Sequence, residues 1–181
     1  PFTNTLTDID CISKEECWAT GHDATILHSN DSGKTWIKQY EDIDFDAPLL
    51  SIHMYESGEG IAIGAFALSL RTTDGGQSWG YLFMDDDDFQ PHFNYAYGDS
   101  QAWRKSSANE AYAVGEIGKY YISDDRGLNW LVVSTGYDGS YWSGIKVDDG
   151  KSLLLGMSGN LTLITRYGPE DTVPPEKFTS I

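Results

Sequence analysis

The sequence has few basic residues and no long apolar segment. Its 181 residues include 12 Lys and Arg against 28 Asp and Glu, a formal net charge of -16 at pH 7. Such a surface repels a phosphate backbone, so we expect no nucleic-acid partner. The acidic surface is either simply solvated or attracts a basic partner or divalent cations.

No run of about 18 apolar residues occurs, so we expect no membrane-spanning helix. The chain starts at Pro1 without a basic and apolar leader, and we take it as a mature or trimmed piece of a longer protein.

Cysteine is also scarce. Cys11 and Cys17 flank a polar turn between two short runs, which predicts a hairpin with the two cysteines facing each other. They form either a disulfide, which would place the protein in the periplasm or outside the cell, or two reduced thiols. Two thiols without a nearby histidine pair make a poor zinc site. We expect neither a metal nor a cofactor.

A repeated octapeptide dominates the sequence. SNDSGKTW (29–36), TTDGGQSW (72–79) and SDDRGLNW (123–130) recur at intervals of about 40 to 50 residues, the length of a four-stranded propeller blade. A glycine that ends an apolar run lies about fifteen residues before the tryptophan of each copy, and Gly156 repeats this marker without an octapeptide after it. The pattern, together with 19 Gly, 11 Tyr and 6 Trp, predicts an all-β propeller of about four blades of four antiparallel strands.

The octapeptides are expected to be structural. In each one the aspartate accepts backbone N–H groups of its own turn, the glycine permits positive φ, and the tryptophan packs between sheets. A carboxylate engaged in this way is not free for chemistry. The residues assigned to this role are Ser29, Asp31, Gly33, Trp36, Thr72, Asp74, Gly76, Trp79, Ser123, Asp125, Gly127 and Trp130.

These octapeptides resemble the Asp-box, or bacterial neuraminidase repeat. GHDATILHSNDSGKTW and LRTTDGGQSW look most like the repeats of the photosystem II assembly and stability factor-like family. Two longer segments, LLSIHMYESGEGIAIGAFALSLRTTDGGQSW and GYDGSYWSGIKVDDGKSLLLGMSGNL, resemble its exported bacterial members, which are often associated with efflux transporters of the resistance-nodulation-division class. The resemblance implies a fold and a binding role, not an activity.

The predicted domain is one partial propeller over residues 1–181. Its blades span 5–40, 46–83, 98–133 and 140–166, and 167–181 is a linker or the start of another blade. The resemblance implies seven blades in a closed ring, so this chain is expected to be a fragment or an open arc. A dimer partner or a companion chain would then cover the exposed blade edges.

Candidate binding residues lie where the strands repeat but the loops differ. Turns between second and third strands share one face of a propeller with the connections between blades, whereas the Asp-box turns lie on the other face. The alternative is that these are ordinary tight turns. The binding residues predicted on this face are His22, Asp23, Phe66, His92, Asn94, Glu116, Tyr137 and Met157.

Two connections are unusual in composition. FMDDDDFQPHFNYAYGDSQAW (83–103) contains Asp85–Asp88, which lack the spacing of a calcium loop and are taken as a solvated acidic segment. STGYDGSYWSG carries aromatic residues suited to carbohydrate or protein contact, although strand alternation should bury one of Tyr141 and Trp142.

An enzyme is disfavoured. A sialidase-like site needs three converging arginines, and the chain has four in all: Arg71 and Arg166 beside box turns, Arg126 within a box, and Arg104 on a predicted inner strand. An inverting glycosidase needs two facing carboxylates, for which Asp23 and Glu116 are the candidates. We therefore expect a non-catalytic, extracytoplasmic propeller that binds a membrane-associated protein, such as a transporter component. A carbohydrate-binding or glycosidase propeller is the alternative.

Overall fold

The computed structural model describes residues 3–84, 90–98, 109–148 and 150–169. These residues form four antiparallel sheets of four strands each, with the strands of each sheet in sequence order. The predicted all-β class and the four-stranded blades are confirmed. Within the same ranges, no helix has the length and apolar character needed to cross a membrane.

The first two sheets each run outward from a six-residue inner strand. Their other strands are shorter, with two to five residues each. The strands are β1 (Leu6–Cys11), β2 (Cys17–Gly21), β3 (Ile26–Ser29) and β4 (Ile37–Tyr40), then β5 (Leu49–Met54), β6 (Gly60–Gly64), β7 (Ser69–Thr72) and β8 (Gly80–Tyr81).

The third and fourth sheets repeat this order, and the first strands of successive sheets contact one another, so these strands line the propeller axis. A short 3-10 turn at Met157–Gly159 joins two strands of the fourth sheet. The strands are β9 (Phe93–Gly98), β10 (Ala111–Gly115), β11 (Lys119–Ser123) and β12 (Leu131–Ser134), then β13 (Tyr141–Asp148), β14 (Lys151–Gly156), β15 (Leu161–Thr165) and β16 (Gly168–Pro169).

The inner strand of the third sheet lies earlier than the sequence suggests. The predicted third blade starts at residue 98 and leaves Phe93–Tyr97 in a connection, but these residues belong to β9, which pairs with β10 along its length. Phe93, Ala96 and Tyr97 are buried, because they face the neighbouring sheets on both sides. The tetra-aspartate 85–88 and Arg104 lie outside the described residues.

Three apolar clusters fill the spaces between successive sheets. The first joins sheets one and two around Trp18 and Leu49, and the second joins sheets two and three around Ile61 and Tyr121. The third joins sheets three and four and contains Tyr120. Burial between sheets therefore supplies the core, since each blade is only one sheet thick.

The third cluster is built on stacked tyrosines. The rings of Tyr95, Tyr97, Tyr112 and Tyr120 follow one another with centroids 5.9, 5.3 and 5.9 Å apart. At the end of the stack the Tyr120 hydroxyl lies 2.8 Å from the hydroxyl of Ser152 in the fourth sheet. Burial raises the pKa of Tyr120, so this phenol stays neutral. The stack thus fixes the third sheet against the fourth.

The Asp-box turns have the predicted hydrogen bonds. Asp31 accepts the Thr35 N–H at 2.8 Å and the Thr35 hydroxyl at 2.6 Å, while the Ser29 hydroxyl accepts the Gly33 N–H at 2.9 Å. Asp74 and Asp125 repeat this arrangement. The tryptophans of the second and third boxes pack against the clusters between sheets, whereas that of the first box is half-buried over its own turn.

The two cysteines form a disulfide. Cys11 and Cys17 are direct partners in the register of β1 and β2, and their sulfur atoms are bonded. The predicted hairpin disulfide is confirmed. It lies at the same end of the first sheet as the Asp-box turn, because the Ser32 N–H donates to the Glu15 carbonyl.

Candidate binding face

The turns between second and third strands lie beside the connections between blades. In the first blade the His22 N–H donates to the Thr5 carbonyl, and the Ala24 N–H donates to the Ala47 carbonyl at the end of the following connection. The second blade has the same pair of bonds to Pro48 and Pro91. We name this side of the molecule the loop face, and the side that carries the Asp-box turns the box face.

All four turns of the loop face share one backbone geometry. In each, the N–H of a residue at or just before the start of the third strand donates to a carbonyl three residues earlier, and the two residues between have positive φ, as in a type I′ turn. The residue pairs with positive φ are Asp23 and Ala24, Phe66 and Ala67, Ile117 and Gly118, and Ser158 and Gly159. The scaffold is therefore constant, while the exposed side chains differ from blade to blade.

The marker glycine before each turn has a steric cause. A Cβ atom on Gly64 would overlap the carbonyl oxygen of Pro48, and a Cβ on Gly115 would overlap that of His92. These carbonyls accept the turn N–H groups, so the inner strand must approach the second strand closely. Only glycine leaves room for that approach.

Three of the predicted binding residues present exposed side chains on this face: His22, Phe66 and Met157. The Phe66 ring meets the His92 ring edge-on with centroids 4.8 Å apart, which joins the second turn to the connection before the third blade. The Tyr137 hydroxyl donates to the Met157 carbonyl at 2.9 Å and joins the fourth turn to its connection in the same way.

The other predicted binding residues use their polar groups within the chain. Asp23 accepts a hydrogen bond from the Asn4 amide at 3.0 Å, and Glu116 accepts the His92 N–H at 3.0 Å. The Asn94 amide donates to the Tyr141 carbonyl at 2.8 Å. These groups shape the loop face, because each one holds a turn or an inner strand to its neighbour.

One part of the loop face was missed by the sequence analysis. In the connection after the first blade, the Tyr81 hydroxyl donates to Asp42 at 2.7 Å, and the rings of Phe45 and Tyr81 lie 6.3 Å apart. The hydrogen bond from Tyr81 lowers the pKa of the Asp42 carboxyl, which is therefore charged at neutral pH. The alternation of acidic and apolar residues in EDIDFD was the available signal.

The aromatic residues of the fourth blade divide as strand alternation predicts. Tyr141 is fully buried and its hydroxyl lies 2.9 Å from that of Thr135, whereas Trp142 is 58% exposed. Of the two aromatic side chains, Trp142 is therefore the one that is accessible for contact with a ligand.

The described arginines lie on the box face and are paired with acids. Arg71 and Arg126 both bind Glu59, and Arg166 binds Asp124. Within the described ranges, no group of three or more His, Cys, Asp or Glu side chains is arranged to hold a metal ion. These three arginines therefore do not converge on the loop face.

Comparison with known proteins places this arrangement in a family. The family model described as "Photosynthesis system II assembly factor YCF48" matches residues 1–174. The chain is similar to the chloroplastic photosystem II stability/assembly factor HCF136 of Arabidopsis thaliana, with 28% identity over 80% of this chain and 39% of that protein. It is also similar to the photosystem II assembly lipoprotein Ycf48 of Synechococcus sp. (strain CC9902), with 27% identity over 87% of this chain and 50% of that protein.

Among solved structures, one described as "YCF48 bound to D1 peptide" superposes with a TM-score of 0.72 at 23% identity. The superposition covers 94% of this chain and 55% of that one. It shows a shared propeller fold. The chain spans half or less of the length of the curated relatives described above.

Proposed function

Because the chain belongs to the family of the photosystem II assembly factor YCF48, we propose that it is a non-catalytic propeller module that binds a polypeptide segment of a membrane-associated complex through its loop face. The observation that carries the proposal is the repeated turn geometry of this face. Four turns hold one backbone conformation and present different side chains, an arrangement that serves recognition.

The exposed apolar side chains support a protein partner. Phe66 and Met157 are 51% and 48% exposed at turns whose backbone is fixed by hydrogen bonds to neighbouring segments. Aromatic and methionine side chains held in this way bind polypeptides well, because they offer apolar area without a large loss of conformational entropy. The relative solved with a D1 peptide supports the same kind of ligand.

The state of the carboxylates supports a binding role over hydrolysis. Asp23 and Glu116, the two candidates for a glycosidase pair, each accept a hydrogen bond from another segment of the chain, Asp23 from Asn4 and Glu116 from His92. A general acid or base must instead be able to exchange its proton with a substrate or water. This favours the assembly role over the carbohydrate alternative.

An extracytoplasmic location is part of the proposal. The Cys11–Cys17 disulfide is typical of an oxidising compartment such as the periplasm or the cell exterior. Service to an efflux transporter would place the chain on the extracytoplasmic side of a membrane complex, and this finer assignment rests on the resemblance to exported bacterial members alone.

The test is affinity capture from solubilised membranes of the source cells. The loop-face variant combines His22→Ala, Phe66→Asn and Met157→Ala, since Asn tolerates the positive φ of residue 66. A matched control changes Lys34, Glu56 and Leu128 to Ala, because these residues are exposed on the box face. We expect the native chain and the control to retain the same membrane protein and the loop-face variant to lose it. Equal recovery by both variants would contradict the proposal.

A further inference from the structure

The connection between the first two blades exposes an alternating strip of apolar and acidic side chains. Ile43, Asp44, Phe45 and Asp46 are all exposed, with Ile43 65% and Phe45 41% accessible. We name residues 41–46 together with Tyr81 the acidic connection. Apolar side chains standing between carboxylates need explanation, because water solvates them poorly.

The acidic connection is held in place. Asp42 accepts the Phe45 N–H at 3.1 Å and the Tyr81 hydroxyl at 2.7 Å, and its own N–H donates to the Asp23 carbonyl at 3.0 Å. The Phe45 ring lies beside the Tyr81 ring. A partner would therefore meet apolar groups whose position is fixed before binding, which lowers the entropy lost on association.

Three of the four carboxylates of the acidic connection have no basic partner within the described part of the chain. Lys38 is paired with Glu41 at 2.6 Å, and no basic side chain there lies within ion-pair distance of Asp44 or Asp46. The formal charge of the whole chain is -16. A second copy of this chain or an anionic lipid surface would meet electrostatic repulsion at this site, whereas a cationic ligand would be attracted.

We propose that the acidic connection binds a cationic polypeptide segment that carries apolar side chains between its lysines or arginines. The inference rests on the proposed function and names the chemistry of its partner. Basic groups of the segment pair with Asp44 and Asp46 and lie over the exposed face of Tyr81, while its apolar groups cover Ile43 and Phe45.

The probe is a fluorescently labelled synthetic peptide of alternating lysine and leucine, compared with a glutamate–leucine peptide of the same length. Fluorescence anisotropy is measured for the native chain, for Asp44→Asn/Asp46→Asn, and for Phe45→Ala. The matched control is Glu15→Gln/Glu56→Gln, which removes the same number of exposed carboxylates from the box face.

We expect the native chain and the control to bind the cationic peptide with equal affinity, and this affinity should fall as the salt concentration rises. Neither protein should bind the anionic peptide. Each acidic-connection variant should bind about three- to tenfold more weakly, the size expected when two exposed charge pairs or one aromatic contact is lost. Equal loss in the control would overturn the inference, since the peptide would then respond to net charge alone. Competition by calcium chloride that exceeds competition by sodium chloride of the same ionic strength would also overturn it.

The two proposals fail separately. If membrane capture depends on the loop face but the cationic peptide does not distinguish the variants, the partner's chemistry is wrong and the binding role stands. If membrane capture does not depend on the loop face but the cationic peptide does distinguish the variants, the acidic connection binds cationic peptides that are unrelated to the captured protein.

Discussion

The Oδ2 atom of Asp10 lies 3.3 Å from Nδ1 of His53, and this contact joins the inner strands of the first two blades. The same carboxylate accepts the Met54 N–H at 2.8 Å. Burial works against ionisation of Asp10, but the bonds from His53 and the backbone outweigh it and lower the pKa of the carboxyl. Adjacent blades are thus linked by buried polar contacts as well as by apolar packing.

Replacing Asp10 with Ala should destabilise the fold by about 2 kcal/mol, because two inner-strand donors lose their acceptor in a largely buried setting. Urea unfolding measures the change. Asp44→Ala serves as the control, since Asp44 is exposed and should leave the midpoint where it is. An unchanged midpoint for the Asp10 variant would mean that packing alone holds the two blades together.

Stability should fall as acid titrates the box carboxylates. Hydrogen bonds from Thr35 lower the pKa of Asp31 from 3.8 to about 2, and those from Ser78 lower the pKa of Asp74. A carboxyl whose pKa is lower in the folded state stabilises the fold above its unfolded pKa and loses that contribution as pH falls through the folded value. The window is therefore from about pH 4 down to about pH 2.

The measurement is the melting temperature at several values of pH across this window. Asp31→Asn/Asp74→Asn should melt lower than the native chain near neutral pH and should lose less on acidification. Parallel curves for the two proteins would show that the box carboxylates do not carry the acid sensitivity.

Gly64→Ala should destabilise the chain strongly, because its Cβ would overlap the Pro48 carbonyl that the adjacent turn needs as an acceptor. Gly80→Ala is the matched change, since nothing lies within 4 Å of a Cβ built there. Circular dichroism melts should separate the two variants by several degrees. Similar melts would indicate that the inner strand can shift away without cost.

Reduction of the Cys11–Cys17 disulfide should lower stability by about 2 kcal/mol, the amount expected for a short closed loop. The loop face lies at the other end of the strands, so partner capture should persist at temperatures where the reduced chain stays folded. Chemical denaturation with and without a reductant gives the stability change. A stability that does not depend on reductant would mean that the hairpin constrains the unfolded chain very little.

The sequence predicts the fold correctly where the stabilising contacts join residues that are close together in the chain. Asp31, Gly33 and Trp36 define a turn by their own hydrogen bonds, and three copies of that turn give the blade period. The pairing of Cys11 with Cys17 follows in the same way from a short hairpin.

The features that were missed depend on contacts between distant segments. Phe93–Gly98 is the inner strand of its sheet because it pairs with β10 and packs between the neighbouring blades, and those contacts are with residues outside the segment. Likewise, the engagement of Asp23 by Asn4 and of Glu116 by His92 depends on loops that meet only in the folded arc. The sequence indicated which turns share the loop face, but not which of their polar groups are hydrogen-bonded within the chain.

The central claim is that the loop face contacts a polypeptide, and site-specific photo-crosslinking tests it most directly. A photoreactive phenylalanine analogue is placed at Phe66 on the loop face or at Leu128 on the box face, both of which are exposed. Irradiation in membranes of the source cells should give a discrete protein adduct from position 66 and none from position 128. An adduct from position 128 alone would contradict the account by placing the partner on the opposite face.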